Sequence, residues 1–345
     1  MTYQRDFNQR VPIAIVGAGG HCYRNILPTL NYLPIELVAI CDPNMEKAAF
    51  TAKQYGARPY PDISSMLADA AVDAVLIAVS PQLHPMLTAQ AFDAGLHVWM
   101  EKPPAMRTSQ IDEMLAMRLD RVCVVGFKKA FMPAAQKARD YFAEPSIGPI
   151  SSLSADYPVT IPKDGAEVLR VGRPTNWLAN GCHPLSMMLS VCGKVSAVTA
   201  HTNRFGEGAL VMEFANGAIG TLNLAVGAGS IAPIERYRFH GKGCTFTIEN
   251  GWTVSIHHSN SEYKYGVTQS YLADGSAATV WEPQNAFATL ENMAAFTQGM
   301  FFELDHFCDC ILQAKPATMG TLEFARDIMS VYEAALMSEG SRILI

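Results

Sequence analysis

The 345-residue sequence predicts an α/β protein, with a doubly wound parallel sheet over residues 1–127 and an α+β domain over residues 128–345. Two patterns support this. All-apolar strand-like runs alternate with helix-like stretches between residues 11 and 127, and past about residue 145 longer strands with turn signals take over. The length agrees, because a single core seldom grows beyond about 250–300 residues before a chain divides.

In the first half the runs are PIAIVG, ELVAICD, DAVLIAVS, HVWMEKP and VCVVGF. Their nearly unbroken apolar character predicts strands covered on both faces. Between them MEKAAFTAKQYG and HPMLTAQAFDAG carry helical periodicity, and the second stops on Gly95 as a helix should. In the second half FANGAIGTLNLAV reads as a hairpin, with Asn216 and Gly217 supplying two positive-φ turn positions. RYRFHGKGCTFTIE and WTVSIHH add strands, and two helices, about 291–314 and 320–338, close the chain. No repeat or low-complexity tract interrupts this order.

Composition narrows the function. Apolar residues make up 49% and charged residues 17%, which places the chain among globular rather than disordered proteins. Its 26 Lys and Arg against 32 Asp and Glu give a net charge of −6, without any basic run, so nucleic acid is not an expected partner. The eight cysteines form no CxxC pair and mostly sit inside apolar runs, which suggests a reduced, cytoplasmic setting. The N-terminus is polar and no apolar run reaches about 18 residues, so neither a signal peptide nor a membrane partner is expected.

The first chemical motif is IVGAGGHC. Gly17, Gly19 and Gly20 follow a strand and precede a helix, so the backbone can turn tightly there and present its amides, with His21, to a pyrophosphate. The third glycine position of such loops holds Cys22 here. ELVAICD then ends on Asp42, 25 residues after Gly17, where a carboxylate can accept hydrogen bonds from a ribose diol. A carboxylate repels a 2′-phosphate, and Pro43 and Asn44 offer no cation to hold one. NAD is therefore expected in preference to NADP.

The run VDAVLIAVSPQLHPMLTAQAFDAGLHVWMEKPPAM resembles the diagnostic stretch of the Gfo/Idh/MocA family, the relatives of glucose-fructose oxidoreductase and inositol dehydrogenase. The similarity extends to VGFKKAFMPA, HGKGCTFTIENG and LDHFCDCILQAKPATMGTLEFARDIM. The resemblance implies a Rossmann domain followed by a domain built on a large open, mostly antiparallel sheet. It also implies that Ser80, Pro81 and His84 lie along the nicotinamide half of the cofactor, with Glu101 and Lys102 reaching its ribose. Lys128 and Lys129 fall where the family places a polar residue and an arginine near the carboxamide and substrate. The proline after the lysine often sits on a cis bond in this family.

The resemblance gives HVWMEKPPAM a chemical role. Moving hydride between an alcohol carbon and a nicotinamide needs a group that takes or returns the hydroxyl proton, and Lys102 can do so if its pKa falls from about 10.4 toward roughly 7–8. Glu101 then anchors sugar hydroxyls or the lysine. The family's second motif, an aspartate, a histidine four positions on and an aspartate three beyond, is only partly present in ANGCHPLS. His183 takes the histidine's place, but Ala179 and Ser186 stand where aspartates are usual. His183 is expected to assist Lys102, with Asn180 as a neutral helper.

Asn176 and Trp177 are candidates for the substrate pocket, Trp177 as an aromatic face for a sugar ring. Lys163, Arg170 and Arg173 hint at an acidic or phosphorylated substrate. Loops 157–178 and 255–285 are expected to shape that pocket. His306, Cys308 and Cys310 do not read as a metal site, because steps of two residues do not share a helix face. The side chains of His257 and His258 point to opposite faces of a strand.

The expectation is an NAD-dependent oxidoreductase acting on a secondary alcohol or ketone of a polyol, sugar or sugar acid, with Lys102 and His183 catalytic, no metal, and a homo-dimer or homo-tetramer implied by the resemblance. Two alternatives stay open. One is a redox-neutral hydrolase or epimerase that uses bound NAD transiently; the other is a non-catalytic cofactor-binding sensor or regulator.

Overall fold

In the computed structural model, which describes residues 6–224, 234–258, 278–283 and 293–345, the run VPIAIV forms β1 (Val11–Val16) inside a six-stranded sheet. Its other strands are β2 (Ile35–Cys41), β3 (Arg58–Tyr60), β4 (Ala74–Ile77), β5 (His97–Glu101) and β6 (Cys123–Gly126). The order is β3-β2-β1-β4-β5-β6 and every pairing is parallel. All four residues of β4 and of β6 are buried, as apolar runs covered on both faces should be. The order reverses between β1 and β4, and ligands of such sheets bind at the carboxyl ends of the strands there.

Helices close the crossovers. Met45–Tyr55 is capped by the Asn44 side chain on the Lys47 amide at 3.0 Å, and ends on Gly56 in the left-handed region. His84–Asp93 ends as its sequence predicts, with Gly95 at a φ of +78° and the Leu96 amide returned to the Ala91 carbonyl at 2.9 Å. Sequence patterning does not reveal β3, because it has only three residues and two of them are exposed.

The chain divides into two units: residues 1–131 with 299–329, and residues 132–298 with 330–345. The helix Met300–Leu312 thus goes with the parallel sheet, although the sequence reading assigned all of 128–345 to the second domain.

The second unit holds a nine-stranded sheet of order β14-β13-β12-β11-β7-β10-β9-β8-β15. The strands are β7 (Ser152–Tyr157), β8 (Val195–Thr202), β9 (Gly208–Phe214), β10 (Ile219–Leu224), β11 (Arg236–Gly241), β12 (Cys244–Glu249), β13 (Thr253–His258), β14 (Ala278–Trp281) and β15 (Ile343–Leu344). All neighbours are antiparallel except β7 and β10. Burial alternates strictly along β7, and Leu153, Ala155 and Tyr157 share its buried face.

Two boundaries differ from the sequence reading. Of the two expected turn residues only Gly217 has positive φ, at +91°, and the Asn216 side chain accepts the Ala218 amide at 3.0 Å; β9 and β10 are joined by four residues rather than two. The helix expected over about 291–314 is broken in two, a short helix Ala294–Thr297 and the helix Met300–Leu312, with Gly299 at a φ of +88° between them. The pocket loop 255–285 lies largely outside the described residues. Among the described residues no helix is long and apolar enough to cross a membrane, and all eight cysteines are free and buried.

Candidate active site

The first unit gathers the glycine loop, Asp42, Ser80, Pro81, His84, Glu101, Lys102, Lys128 and Lys129. Gly17 has a φ of +101°, and a Cβ there would overlap the Ala78 carbonyl oxygen and lie 2.9 Å from Val79 Cγ1, so the turn after β1 can pass the end of β4 only as glycine. Nothing lies within 4 Å of where a Cβ on Gly19 or Gly20 would stand, which leaves their backbone open to a phosphate. Cys22 is buried in the small third position, its thiol pushed up to about 12 by burial and by Asp42.

Asp42 ties β2 to this loop: one carboxylate oxygen accepts the Ala18 amide at 3.0 Å and the other the Asn44 amide at 2.9 Å. Each oxygen keeps a second lone pair for a ribose hydroxyl. The loop and its carboxylate therefore fit a dinucleotide.

Beyond β4, Ser80 is exposed and Pro81 partly so, while His84 is fully buried at the head of its helix. Its Nδ1 donates to the Pro103 carbonyl at 2.8 Å, and burial holds its pKa below the ordinary 6.5. At the end of β5, one oxygen of the buried Glu101 accepts the Lys102 amide at 3.1 Å, and the other meets His21 Nε2 of the glycine loop. Lys102 is half-buried and its peptide to Pro103 is cis. The glycine loop and the Glu-Lys-Pro stretch are thus joined through His21 and Glu101.

The helix Lys128–Phe131 follows β6, bringing a half-buried Lys128 and a buried Lys129. Burial and the Lys129 charge lower the Lys128 pKa, against Glu303 and Glu101, which raise it. Sequence reasoning missed Glu303. It lies on the helix Met300–Leu312, fully buried, and neither carboxyl oxygen has a hydrogen-bond partner. A Cβ on Gly126 would lie 3.3 Å from Glu303 Oε1, and Gly126 is the register partner of Glu101. Burial first and Glu101 second push the Glu303 pKa well above the carboxylate range, against the pull of Lys128 and Lys102. One signal was present in MFFELDHF: Glu303 falls three residues after Met300 and four before Phe307, on the apolar stripe of the helix.

The second unit holds Asn176, Trp177, Asn180 and His183 on the helix Asn176–Cys192. Asn176, Ala179 and Asn180 are exposed, and Asn180 Nδ2 donates to Asn176 Oδ1 at 3.2 Å. Trp177 corrects the sequence reading. It is 1% exposed, its Nε1 donates to the Tyr332 carbonyl at 3.2 Å, and a Cβ on Gly181 would lie 2.7 Å from its Cζ3, so this ring is core rather than a sugar platform. Ser186 is also spent, its hydroxyl donating to the His183 carbonyl at 2.9 Å.

His183 is nearly buried and its ring centroid stands 6.4 Å from that of Tyr157. Burial and Glu235 raise the Tyr157 pKa, and Glu235, itself buried, accepts the Tyr237 hydroxyl at 2.7 Å. Strand alternation in SLSADY was the available signal for Tyr157. The loop cations are engaged locally: Arg170 with Glu167 at 2.7 Å, Arg173 with Asp164 at 2.6 Å, and Lys163 with the Thr202 carbonyl at 2.6 Å.

Residues 11–128 match the NAD-binding Rossmann fold of the Gfo/Idh/MocA oxidoreductase family, and residues 175–342 match that family's C-terminal alpha/beta domain. The chain belongs to this family. Its curated relatives include D-glucoside 3-dehydrogenase of Escherichia coli (strain K12), 33% identical over 155 residues that cover 41% of this chain and 42% of the relative. Inositol 2-dehydrogenase of Corynebacterium glutamicum (strain R) is 34% identical over 132 residues, 37% of this chain and 39% of the relative. The matched segments thus span less than half the length of these family members. A solved levoglucosan dehydrogenase, in complex with NADH and levoglucosan, superposes with a TM-score of 0.80 at 18% identity over 98% of this chain and 100% of its own. That likeness concerns the family fold.

Proposed function

We propose that the protein is an NAD-dependent dehydrogenase or reductase acting on a secondary alcohol or ketone of a polyol or sugar. The observation that carries this reading is the junction at the end of β5, where Glu101 meets the glycine-loop residue His21 and the next residue is the half-buried Lys102. It supports a proton-transferring role for Lys102, beside a loop whose open glycines and Asp42 suit a dinucleotide. Bound there, NAD would exchange hydride with the carbinol carbon of the substrate.

In this reading the chain's own residues hold and move the proton. Gly19 and Gly20 receive the pyrophosphate and Asp42 the ribose diol, while Ser80, Pro81 and His84 shape the nicotinamide side. Lys102 accepts the hydroxyl proton in oxidation and returns it in reduction, and Lys128 and Lys129 add positive charge to the same unit. His183, with Tyr157 beside it, assists at the substrate oxygen. The local pairing of Lys163, Arg170 and Arg173 favours an uncharged substrate. Relatives named as glucoside, xylose and inositol dehydrogenases support the substrate class.

The test is a panel of neutral sugars, polyols and sugar acids with NAD and NADP, read as NADH or NADPH formed. Stoichiometric NADH with a neutral polyol or sugar is the expected result. Turnover of a substrate with no net NADH would transfer the reading to a redox-neutral reaction, and cofactor binding without any turnover to a sensor.

A further inference from the structure

The buried carboxyl of Glu303 has no place in the proton path just described. A fully buried carboxyl with no hydrogen-bond partner on either oxygen is costly to keep, and such groups call for an account. Its position suggests one. Glu303 lies against Gly126, the register partner of Glu101, and its electrostatic neighbours are Glu101, Lys128 and Lys102.

The charges that face it can be enumerated. Strand β5 begins at His97 and ends at Glu101, Lys102 follows it, and the helix after β6 brings Lys128 and Lys129. Strand β1 carries no titratable residue, and the thiol of Cys123 on β6 is pushed up to about 12 by burial and stays neutral. On its own helix Asp305 is raised by burial and Asp309, and His306 is lowered by burial and Lys315. With Glu303 protonated, the Lys128 and Lys129 cations of the helix after β6 stand against one carboxylate, Glu101, and that carboxylate already meets His21. A further cation arriving there would meet net positive charge.

We propose that Glu303 is a proton-linked charge sensor of the cofactor site, protonated while no cation stands beside Glu101 and Lys102 and ionised, its proton released to solvent, when a cationic nicotinamide is held there. The inference rests on the cofactor reading above. The step moves one proton and no electrons: the Glu303 O–H bond breaks and the proton passes to water. A reduced, uncharged ring makes no such demand, so the carboxyl keeps its proton in that complex.

The test is binding of NAD+ and of NADH to the full chain, by fluorescence or calorimetry, across pH 6–9, in wild type, Glu303→Gln and Lys102→Met. Expected in wild type is NAD+ affinity that rises with pH by up to about tenfold per unit, and NADH affinity that is nearly flat, because only the first complex releases a proton. Glu303→Gln should flatten the NAD+ slope, while Lys102→Met keeps it. A slope that survives Glu303→Gln and vanishes in Lys102→Met assigns the proton to the lysine and overturns the proposal, as does a wild type that binds NAD+ without any slope. Failure of wild type to bind either form overturns the cofactor reading and the inference with it. Infrared difference spectra of wild type give an independent check: the stretch of a protonated carboxyl should bleach on NAD+ binding and not on NADH binding, and an unchanged band with NAD+ bound overturns the proposal.

Discussion

His84 donates its Nδ1–H to the carbonyl of Pro103 at 2.8 Å, which ties the helix after β4 to the turn after β5. The ring is fully buried, and burial holds its pKa below the ordinary 6.5. The unfolded chain therefore binds a proton on this side chain before the folded one does as pH falls. Stability from this group is complete above pH 6.5 and is lost progressively as pH drops from there toward the folded pKa. His84→Ala removes that dependence together with the bond and the packing, at a cost of about 2–4 kcal/mol. Urea unfolding of both proteins at several pH values between 5 and 8 measures both effects.

Lys102→Met tests the proton path. The substitution keeps the bulk of the side chain and removes its ammonium, so kcat is expected to fall at least about 100-fold while NAD binding changes little. Steady-state turnover on the substrate found in the panel, beside a binding isotherm for NAD, separates the two. Full turnover in the variant would sink the role given to Lys102.

Gly17→Ala addresses the loop. Its φ of +101° and the overlap of a Cβ with the Ala78 carbonyl both oppose any side chain, so the turn must open away from β4. A loss of more than about 1 kcal/mol in stability is expected, with weaker NAD binding because the amides move with the turn. Gly20→Ala is the contrast. Its Cβ meets no protein atom within 4 Å, so the fold should be intact and only NAD affinity should fall.

Trp177 separates a pocket from a core. Its Nε1 is committed to Tyr332 and its ring lies against Gly181. Trp177→Ala should cost about 3–5 kcal/mol in stability. Trp177→Phe, which loses the hydrogen bond but keeps an aromatic ring, should retain the wild-type KM. A large rise in KM with unchanged stability would restore the substrate role expected from the sequence.

The contrast between Asp42 and Trp177 shows where sequence reading stops. The position of Asp42 was legible because it depends on local order, a carboxylate at the end of the strand after a glycine turn, and that carboxylate accepts the Ala18 amide of the turn. Trp177 was misread because only a partner 155 residues away, Tyr332, shows what its indole does. The strands of the parallel sheet were visible as apolar runs, yet β3 was not, since two of its three residues are exposed. Glu303 escaped for a related reason: its meaning depends on Gly126, Glu101 and Lys128, which the fold alone brings together.

Glu303 also carries a stability consequence independent of any ligand. Burial and Glu101 raise its folded pKa well above the ordinary 4.5, so above pH 4.5 the unfolded chain gives up this proton while the folded protein keeps it. The folded state then binds more protons than the unfolded one, and stability falls as pH rises toward the folded pKa. Glu303→Gln matches the neutral acid in shape and in its unpaired polar atoms but has no proton to lose. The variant should therefore match wild type near pH 4.5 and become the more stable of the two as pH increases through 7. Thermal unfolding of both at pH 4.5, 6 and 8 measures the divergence. Parallel curves across that range would mean that Glu303 is ionised in the folded protein, which would remove the basis for its cofactor-linked proton.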